Sequence, residues 1–171
     1  MWDKVGKNGR KIMSNMFLCG TSELSLDDKG RISIPVKYRK LLKDSNDGQC
    51  VITRSLFDPC LWLYPKAEWD EVVRSLAELN TFSDEVIRTI RRVLVGFSQP
   101  CALDSQGRIL LSQELRNIVF LSKKAFLIGL DNKFEIWPES AMQERQEKDL
   151  GMLRELKEHL GDFKALDRLK I

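Results

Sequence analysis

Short segments of alternating apolar and polar residues recur in the first half of the chain, and this alternation is typical of half-buried β-strands. Leu24 and Leu26 lie on one face of a first predicted strand, and Arg31–Ile34 alternates in the same way. The intervening residues 28–30 predict a tight turn, because their glycine adopts backbone conformations closed to other residues. The remaining predicted elements of this half are a helix over Val36–Lys43, opened by Pro35, and strands near Val51–Ser55 and Leu61–Tyr64.

The second half of the chain repeats this order. Residues 26–31 are Leu-Asp-Asp-Lys-Gly-Arg and residues 103–108 are Leu-Asp-Ser-Gln-Gly-Arg, a separation of 77 positions that also relates Arg39 to Arg116. The predicted elements are a strand over Ile109–Leu111, a helix over Ser112–Val119, and strands near Ala125–Gly129 and Phe134–Trp137. Each copy alone is too small to bury much apolar surface. We therefore expect the two copies to pack together as a pseudo-dimer that shares strands.

Helical patterns fill the rest of the chain. Between the copies, apolar residues at helical spacing predict an antiparallel helix pair packed on the strands, with Ser83 capping its second helix. From Glu139 onward the chain is charged, with apolar residues every three or four positions, although Gly151 and Gly161 weaken its continuity. The predicted organisation is an N-terminal extension expected to be disordered (1–15), a first half-unit (16–68), a linking helix pair (69–97), a second half-unit (98–141) and a C-terminal helical segment (142–171).

Charge, hydropathy and cysteine content narrow the classes of protein to which this chain can belong. The formal net charge of +3 resides entirely in residues 1–15, which carry four lysines and arginines against Asp3, so bulk charge does not indicate nucleic-acid binding. No apolar run is long enough to span a membrane and residues 1–15 lack a secretory apolar region, which favours the cytosol. The four cysteines are scattered, a pattern that favours neither disulfides nor zinc.

The sequence offers little for catalysis. His159 is the single histidine and sits in a polar helical stretch, and no glycine-rich phosphate-binding motif is present. We therefore expect no enzymatic activity, no cofactor, no metal and no small-molecule substrate. Two basic clusters stay ambiguous: the N-terminal lysines and arginines predict either phosphate contacts or a disordered terminus, and Arg88, Arg91 and Arg92 predict either a basic patch or the solvent face of a helix.

The two Asp-x-x-Gly-Arg turns form the strongest candidate site. Asp27 and Arg31 flank one tight turn, where a local ion pair is the simplest interpretation of the aspartate. Lys29 projects from the tip, and Arg31 begins the outgoing strand beside it. If the copies pack about a pseudo-twofold axis, Arg31 and Arg108 face the same way and are exposed. Lysine and arginine bind phosphate, and arginine and glutamine also recognise base edges, so this array with Gln106 suits duplex DNA.

These residues resemble the MraZ family of the SpoVT-AbrB superfamily. The resemblance covers roughly residues 16–145 and rests on two copies of the turn motif and on five further segments: Met16-Phe17, Ile32–Pro35, Leu61–Pro65, Glu68-Trp69 and Asn132–Trp137. It implies an α+β fold of two tandem AbrB-like swapped-hairpin half-units that form a pseudo-dimeric β-barrel with flanking helices, assembled as a homo-oligomeric ring. It also implies a cytoplasmic, nucleoid-associated regulator.

The same resemblance implies a function and a site. The expected function is repression of the bacterial division and cell-wall gene cluster through direct repeats upstream of the protein's own gene. The implied DNA contacts are Lys29, Arg31, Gln106 and Arg108, and the implied turn-shaping residues are Asp27, Gly30, Asp104 and Gly107. This chain departs from the family at Leu18-Cys19, where a basic residue is common, and at Gln106, which stands opposite Lys29.

An alternative function stays open at this point. An oligomeric protein-interaction module would use the same fold to bind a protein partner, such as a toxin or a protease, through the C-terminal amphipathic segment. Its binding would be insensitive to changes at Arg31 and Arg108, which distinguishes it from a DNA-binding regulator.

Overall fold

The computed structural model describes residues 18–79 and 84–158, with the side chains of residues 157 and 158 excepted. This part of the chain is α+β and holds eight strands and five helices. In chain order they are β1 (Leu18–Ser25), β2 (Arg31–Ser33), α1 (Val36–Asn46), β3 (Gln49–Arg54), β4 (Leu61–Pro65), α2 (Lys66–Glu78), α3 (Glu85–Leu94), β5 (Gln99–Ala102), β6 (Arg108–Leu110), α4 (Gln113–Ile118), β7 (Lys124–Asp131), β8 (Lys133–Pro138) and α5 (Glu139–Glu158).

The strands of the two copies interleave. Six of them form an antiparallel sheet in the order β1-β7-β8-β4-β3-β5, and β2 pairs with β6 in a separate two-stranded ribbon. The first strand of each copy, β1 or β5, pairs with the third strand of the other copy, β7 or β3. The order is therefore symmetric about the β8–β4 pair. Within the described residues β1 and β5 are edge strands, so no pairing there closes the sheet into a barrel.

Alternate residues of the central strands face two different cores. Leu61 and Leu63 of β4 join a core that also contains Ile32 and Ile109 of the ribbon, so this core lies between the sheet and the ribbon. Trp62 and Tyr64 of the same strand join a second core, with residues of α2, α3 and α5. All five residues of β4 are buried as a result. The first of these cores, which includes Ile32 and Ile109, holds the ribbon against the sheet.

The observed helices differ from the predicted ones mainly at their ends. Helix α1 continues past Lys43 and ends before Asp47, which adopts a left-handed conformation. Asp84 caps α3 by accepting hydrogen bonds from the backbone N–H groups of Val86 and Ile87; the predicted cap, Ser83, lies outside the described residues. Helices α2 and α3 both pack on β3, as predicted. Helix α5 runs without interruption through Gly151.

Several predicted features fall on residues that the structure does not describe. These are the N-terminal extension with its basic residues, Met16-Phe17, Gly161 and His159. Among the helices that are described, none combines the length and the apolar character needed to cross a bilayer.

Candidate nucleic-acid interface

The first turn is closed by Asp27 through both its backbone and its carboxylate. The backbone N–H of Gly30 donates to the Asp27 carbonyl at 2.8 Å, and the Asp27 N–H donates to the carbonyl of Arg31 at 2.9 Å. The Asp27 Oδ1 atom accepts from the backbone N–H groups of Lys29 at 3.0 Å and Arg31 at 2.9 Å. Gly30 has φ of +78°, a left-handed conformation that explains glycine at this position.

The Arg31 guanidinium binds the same carboxylate from the side. Its Nε and Nη2 atoms lie 2.7 and 2.6 Å from Asp27 Oδ2. These charge-assisted hydrogen bonds stabilise the ionised carboxylate. The side-chain hydrogen bond from Arg31, reinforced by its backbone N–H, lowers the pKa of Asp27 to about 2. The local ion pair predicted from the sequence is therefore confirmed.

The second turn reproduces this geometry closely. Asp104 Oδ1 accepts from the backbone N–H groups of Gln106 and Arg108, both at 2.9 Å, and its Oδ2 accepts from Arg108 Nε at 2.8 Å and Nη2 at 2.7 Å. Gly107 has φ of +76°. The side-chain hydrogen bond from Arg108, followed by the one from its backbone N–H, lowers the pKa of Asp104 to about 2.

The β2–β6 ribbon brings the two turns together. Ile32 pairs with Ile109 at its centre, and both side chains point into the core. Because strand residues alternate between faces, Arg31 and Arg108 emerge on the opposite, outer side. The Arg108 Nη1 atom lies 4.0 Å from the carboxylate of Asp27 in the other turn. The two Asp-x-x-Gly-Arg motifs therefore form one continuous surface around a pseudo-twofold axis.

The ribbon is joined to the turns by a symmetric pair of backbone hydrogen bonds. Ile34 N–H donates to the carbonyl of Gly107, and Leu111 N–H donates to the carbonyl of Gly30, each at 2.9 Å. Every turn is therefore held by the strand of the other copy, and neither half of the surface is complete without its counterpart.

Two further arginines belong to this surface, although the sequence alone indicated no role for them. Arg39 of α1 donates from Nε to the Ile34 carbonyl at 2.7 Å, and its side chain lies so close to the other copy's turn that a Cβ atom on Gly107 would be 2.4 Å from Arg39 Cδ. Arg116 of α4 makes the equivalent contact, with its Cζ atom 2.9 Å from such a Cβ on Gly30. Their separation of 77 residues, the same as that of the turns, is the signal that could have found them.

The four arginines differ in electrostatic character. Arg31 and Arg108 are neutralised by Asp27 and Asp104. Arg39 instead donates to Ser33 Oγ and Arg116 to Gln113 Oε1, at 3.0 and 2.6 Å, and within the described residues neither guanidinium forms an ion pair. Arg39 and Arg116 are therefore the uncompensated positive charges beside the turns.

The exposure of the predicted site residues is uneven. Lys29 and Gln106 are exposed at the tips of the turns. The expectation that Arg31 and Arg108 are exposed is wrong: both are only partly exposed, and their side chains retain 27% and 26% of their accessible surface, because each lies against an aspartate. Arg91 and Arg92 lie on the exposed side of α3. Among the described residues, no group of three or more potential metal ligands is close enough to hold an ion.

Sequence comparison identifies the family of the chain that carries these two turns. The family model described as "MraZ protein, putative antitoxin-like" matches residues 17–92 and matches again over residues 95–160. The chain belongs to the MraZ family. The two matches each include one Asp-x-x-Gly-Arg turn, so both turns of the surface lie within MraZ sequence.

Individual MraZ proteins are similar over most of their length. The chain is 43% identical to the transcriptional regulator MraZ of Pseudoalteromonas translucida (strain TAC 125), over 84% of this chain and 91% of that protein. It is 45% identical to the transcriptional regulator MraZ of Histophilus somni (strain 2336), over 77% and 86%. It is 39% identical to that of Tolumonas auensis (strain DSM 9187 / NBRC 110442 / TA 4), over 90% and 97%.

Proposed function

We propose that this MraZ family member is a transcriptional regulator, not an enzyme, and that it binds double-stranded DNA through Lys29, Arg31, Gln106 and Arg108. The observation that carries the proposal is the convergence of two Asp-x-x-Gly-Arg turns on one side of the ribbon, where Arg108 Nη1 comes within 4.0 Å of Asp27 Oδ2. The similar proteins named above are called transcriptional regulators, which supports the same function.

Each residue has a distinct part in the proposed contact. Asp27 and Asp104 hold the guanidinium groups of Arg31 and Arg108 in one orientation, which reduces the entropy cost when the arginines bind DNA. Lys29 and the uncompensated Arg39 and Arg116 supply the charge that attracts phosphate. Arginine and glutamine are also side chains that recognise base edges in the major groove.

The proposed assembly is a homo-oligomeric ring that binds direct repeats upstream of its own gene. Its target would be the division and cell-wall gene cluster, and its location the cytoplasm, on the nucleoid. One subunit offers few phosphate contacts, whereas several joined subunits gain affinity through effective concentration. The exposed apolar side chains of Leu150, Met152 and Leu153 on α5 suit contacts between subunits.

The proposed architecture within each subunit is the AbrB-like swapped-hairpin pseudo-dimer. The interleaved strand order supports it, since each copy lends its first strand to the other. We propose half-units over residues 16–68 and 98–141, with the ribbon covering the open side of the six-stranded sheet so that the whole resembles a β-barrel. The segments 69–97 and 142–171 are not part of these half-units.

DNA binding is tested by measuring affinity for the duplex upstream of the protein's own gene across a salt series, with a scrambled duplex for comparison. The wild type is expected to prefer its own upstream sequence. The Arg31→Ala/Arg108→Ala variant is expected to bind more weakly, and its log–log salt slope should be shallower by about 0.9 for every phosphate that it no longer neutralises.

The matched control is Asp27→Asn/Asp104→Asn. This variant also breaks both ion pairs, but it leaves the guanidinium groups present and removes two negative charges. The lost orientation of the arginines weakens binding and the lost negative charge strengthens it, so the affinity is expected to fall much less than in Arg31→Ala/Arg108→Ala. Equal decreases in affinity for both variants would mean that the arginines act only by shaping the turns. The absence of any preference over scrambled DNA would overturn the proposed function.

A second candidate function is protein binding without specific DNA recognition. The antitoxin-like description of the family model and the apolar residues of α5 favour it. It predicts partner binding that is unaffected by Arg31→Ala/Arg108→Ala and is abolished when α5 is shortened.

A further inference from the structure

Strands β3 and β5 each carry a cysteine, and the two cysteines lie directly opposite one another. Cys50 of β3 is the register partner of Cys101 of β5, although they are 51 residues apart in the chain. Both side chains face the core between the sheet and the ribbon, since Cys50 belongs to that core and Cys101 packs against it. Both are free thiols. The fold therefore brings together two thiols that are distant in the sequence.

The backbone spacing at this pair suits a disulfide. In the same register, two residues further along, the Leu103 N–H donates to the Gly48 carbonyl at 3.0 Å, so Cys50 and Cys101 also occupy a hydrogen-bonded position. The Cα atoms of such a pair are about 5.5 Å apart, within the range of about 4.4–6.8 Å that disulfides bridge. The Cβ atoms must come closer by about 1 Å, which requires β5 to move toward β3.

Strand β5 is held loosely enough to make this movement. It is four residues long and, within the described residues, pairs with β3 alone, so it is an edge strand. Pro100 lies opposite Val51 and has no N–H to donate. A short edge strand opens locally at a low free energy. Opening exposes Cys101, which is already half-buried where Cys50 is fully buried.

Burial makes the closed pair slow to react. It raises the pKa of the Cys50 thiol to about 12 and also raises the pKa of the Cys101 thiol, to which the neighbouring Cys50 adds a smaller increase. The thiolate is the nucleophilic form of cysteine. When β5 opens, water reaches Cys101 and the desolvation that raised its pKa is relieved. Cys101 is therefore expected to react first, through the open form.

The equivalent pair in the other half of the sheet contains no thiol. Leu24 lies 77 residues before Cys101 and is the register partner of Ala125 on β7. Both residues are buried in the same core. Because an apolar pair fills this position in one half, packing alone does not require two cysteines in the other.

We propose that Cys50 and Cys101 form an oxidation site for hydroperoxides, and that the resulting disulfide links β5 covalently to β3. With hydrogen peroxide, the Cys101 thiolate sulfur attacks one oxygen; the S–O bond forms, the O–O bond breaks, and one water leaves after protonation. Cys50 sulfur then attacks the sulfenic sulfur of Cys101; the S–S bond forms, the S–O bond breaks, and the oxygen leaves as a second water with the Cys50 proton. Two thiols lose two electrons, and one peroxide is reduced to two waters.

The disulfide closes residues 50–101 into a loop that contains α2 and α3. Such a loop restricts the unfolded chain and so stabilises the folded one. The chemistry is independent of DNA binding.

The test is peptide mapping of a Cys19→Ser protein after exposure of the folded chain to hydrogen peroxide. The substitution removes an exposed thiol that could link two molecules. After the peroxide is destroyed with catalase, remaining thiols are alkylated in urea and the chain is digested with trypsin. Cleavage at lysine and arginine places Cys50, Cys60 and Cys101 in three separate peptides: 44–54, 55–66 and 93–108.

The expected product joins peptide 44–54 to peptide 93–108 and leaves Cys60 alkylated. The urea unfolding midpoint is expected to rise by about 1–2 M on oxidation and to return with dithiothreitol. The matched control, Cys19→Ser/Cys101→Ala, is expected to show neither change. Alkylation of all three cysteines, or a link from 44–54 to 55–66, would overturn the site whether or not the control folds. A joined pair without a higher midpoint would overturn the stabilising link between β5 and β3.

Discussion

Alanine substitution at the two turn glycines tests the contact between each turn and the arginine of the other copy. Gly30 and Gly107 have almost the same left-handed conformation, with φ of +78° and +76°. That conformation costs an alanine about 1–2 kcal/mol, and the lower entropy of the unfolded alanine chain offsets about 0.4–1 kcal/mol of this cost. The backbone contribution is therefore the same for both substitutions and cancels in their difference.

The surroundings of the two glycines decide the difference. At Gly30 a new Cβ meets the flexible end of Arg116, whose Nε already lies 3.2 Å from its acceptor on Leu111. At Gly107 the new Cβ lies 2.4 Å from Cδ and Nε of Arg39, in the middle of that side chain. Arg39 must then move, and its bonds to the Ile34 carbonyl and Ser33 Oγ are broken. At about 0.5–1.5 kcal/mol each, these bonds predict that Gly107→Ala destabilises the protein by about 1–3 kcal/mol more than Gly30→Ala.

Urea unfolding at fixed protein concentration measures this difference through the transition midpoints of the two variants. The control is Gly151→Ala in α5, where no atom lies within 4 Å of the new Cβ, and a stabilisation of up to about 1 kcal/mol is expected from helix propensity. Equal destabilisation at the two turn positions, or a larger effect for Gly30→Ala, would refute the assigned role of Arg39.

Three further predictions concern protonation, thiol reactivity and assembly. The side-chain hydrogen bond from Arg31 lowers the pKa of Asp27 from 3.8 to about 2. The contribution of this pair to folding stability is therefore fully present above pH 3.8 and is lost as the pH falls through about 2. A carboxyl NMR titration midpoint near 3.8 would contradict this. Burial raises the pKa of the Cys50 thiol to about 12 and also raises that of Cys60. An alkylating reagent should therefore modify exposed Cys19 in the native protein, and Cys50 and Cys60 only after unfolding, as peptide mass mapping would show. Truncation after Lys148 removes the exposed apolar residues of α5 and should reduce the sedimentation coefficient while leaving the salt slope per subunit unchanged; an unaltered sedimentation profile would argue against a role for α5 in assembly.

The sequence predicted the elements of the fold because their signals are local. Alternation over four to eight residues, a glycine in a turn and the separation of 77 residues placed six strands and the two short helices within a few residues of their observed bounds: β2, β3, β4, β6, β7, β8, α1 and α4. No residues were assigned to β5, the first strand of the second copy, and α1 continues past its predicted end at Lys43 to Asn46. Helix ends depend on capping contacts that many sequences satisfy equally well.

The candidate site was predicted only in part. Asp27 and Arg31 are four positions apart across a tight turn, which predicts that they pair, and the structure confirms the ion pair. The positions of Arg39 and Arg116 do not follow from local pattern, because each lies against a turn of the other copy. The partial burial of Arg31 was likewise missed, since a sequence shows a charge but not the area that a neighbouring carboxylate covers.

By itself, the sequence determined that the chain is built from two copies of one motif, each with an aspartate-closed glycine turn and an arginine behind it. Only the tertiary structure decided which strand of one copy pairs with which strand of the other, and therefore that both turns emerge on one side of the ribbon. The physical reason is the sequence separation between the residues that interact. Turn closure is an interaction over four residues, whereas the β1–β7 pairing joins residues about a hundred positions apart, and such contacts form only when both cores are packed together.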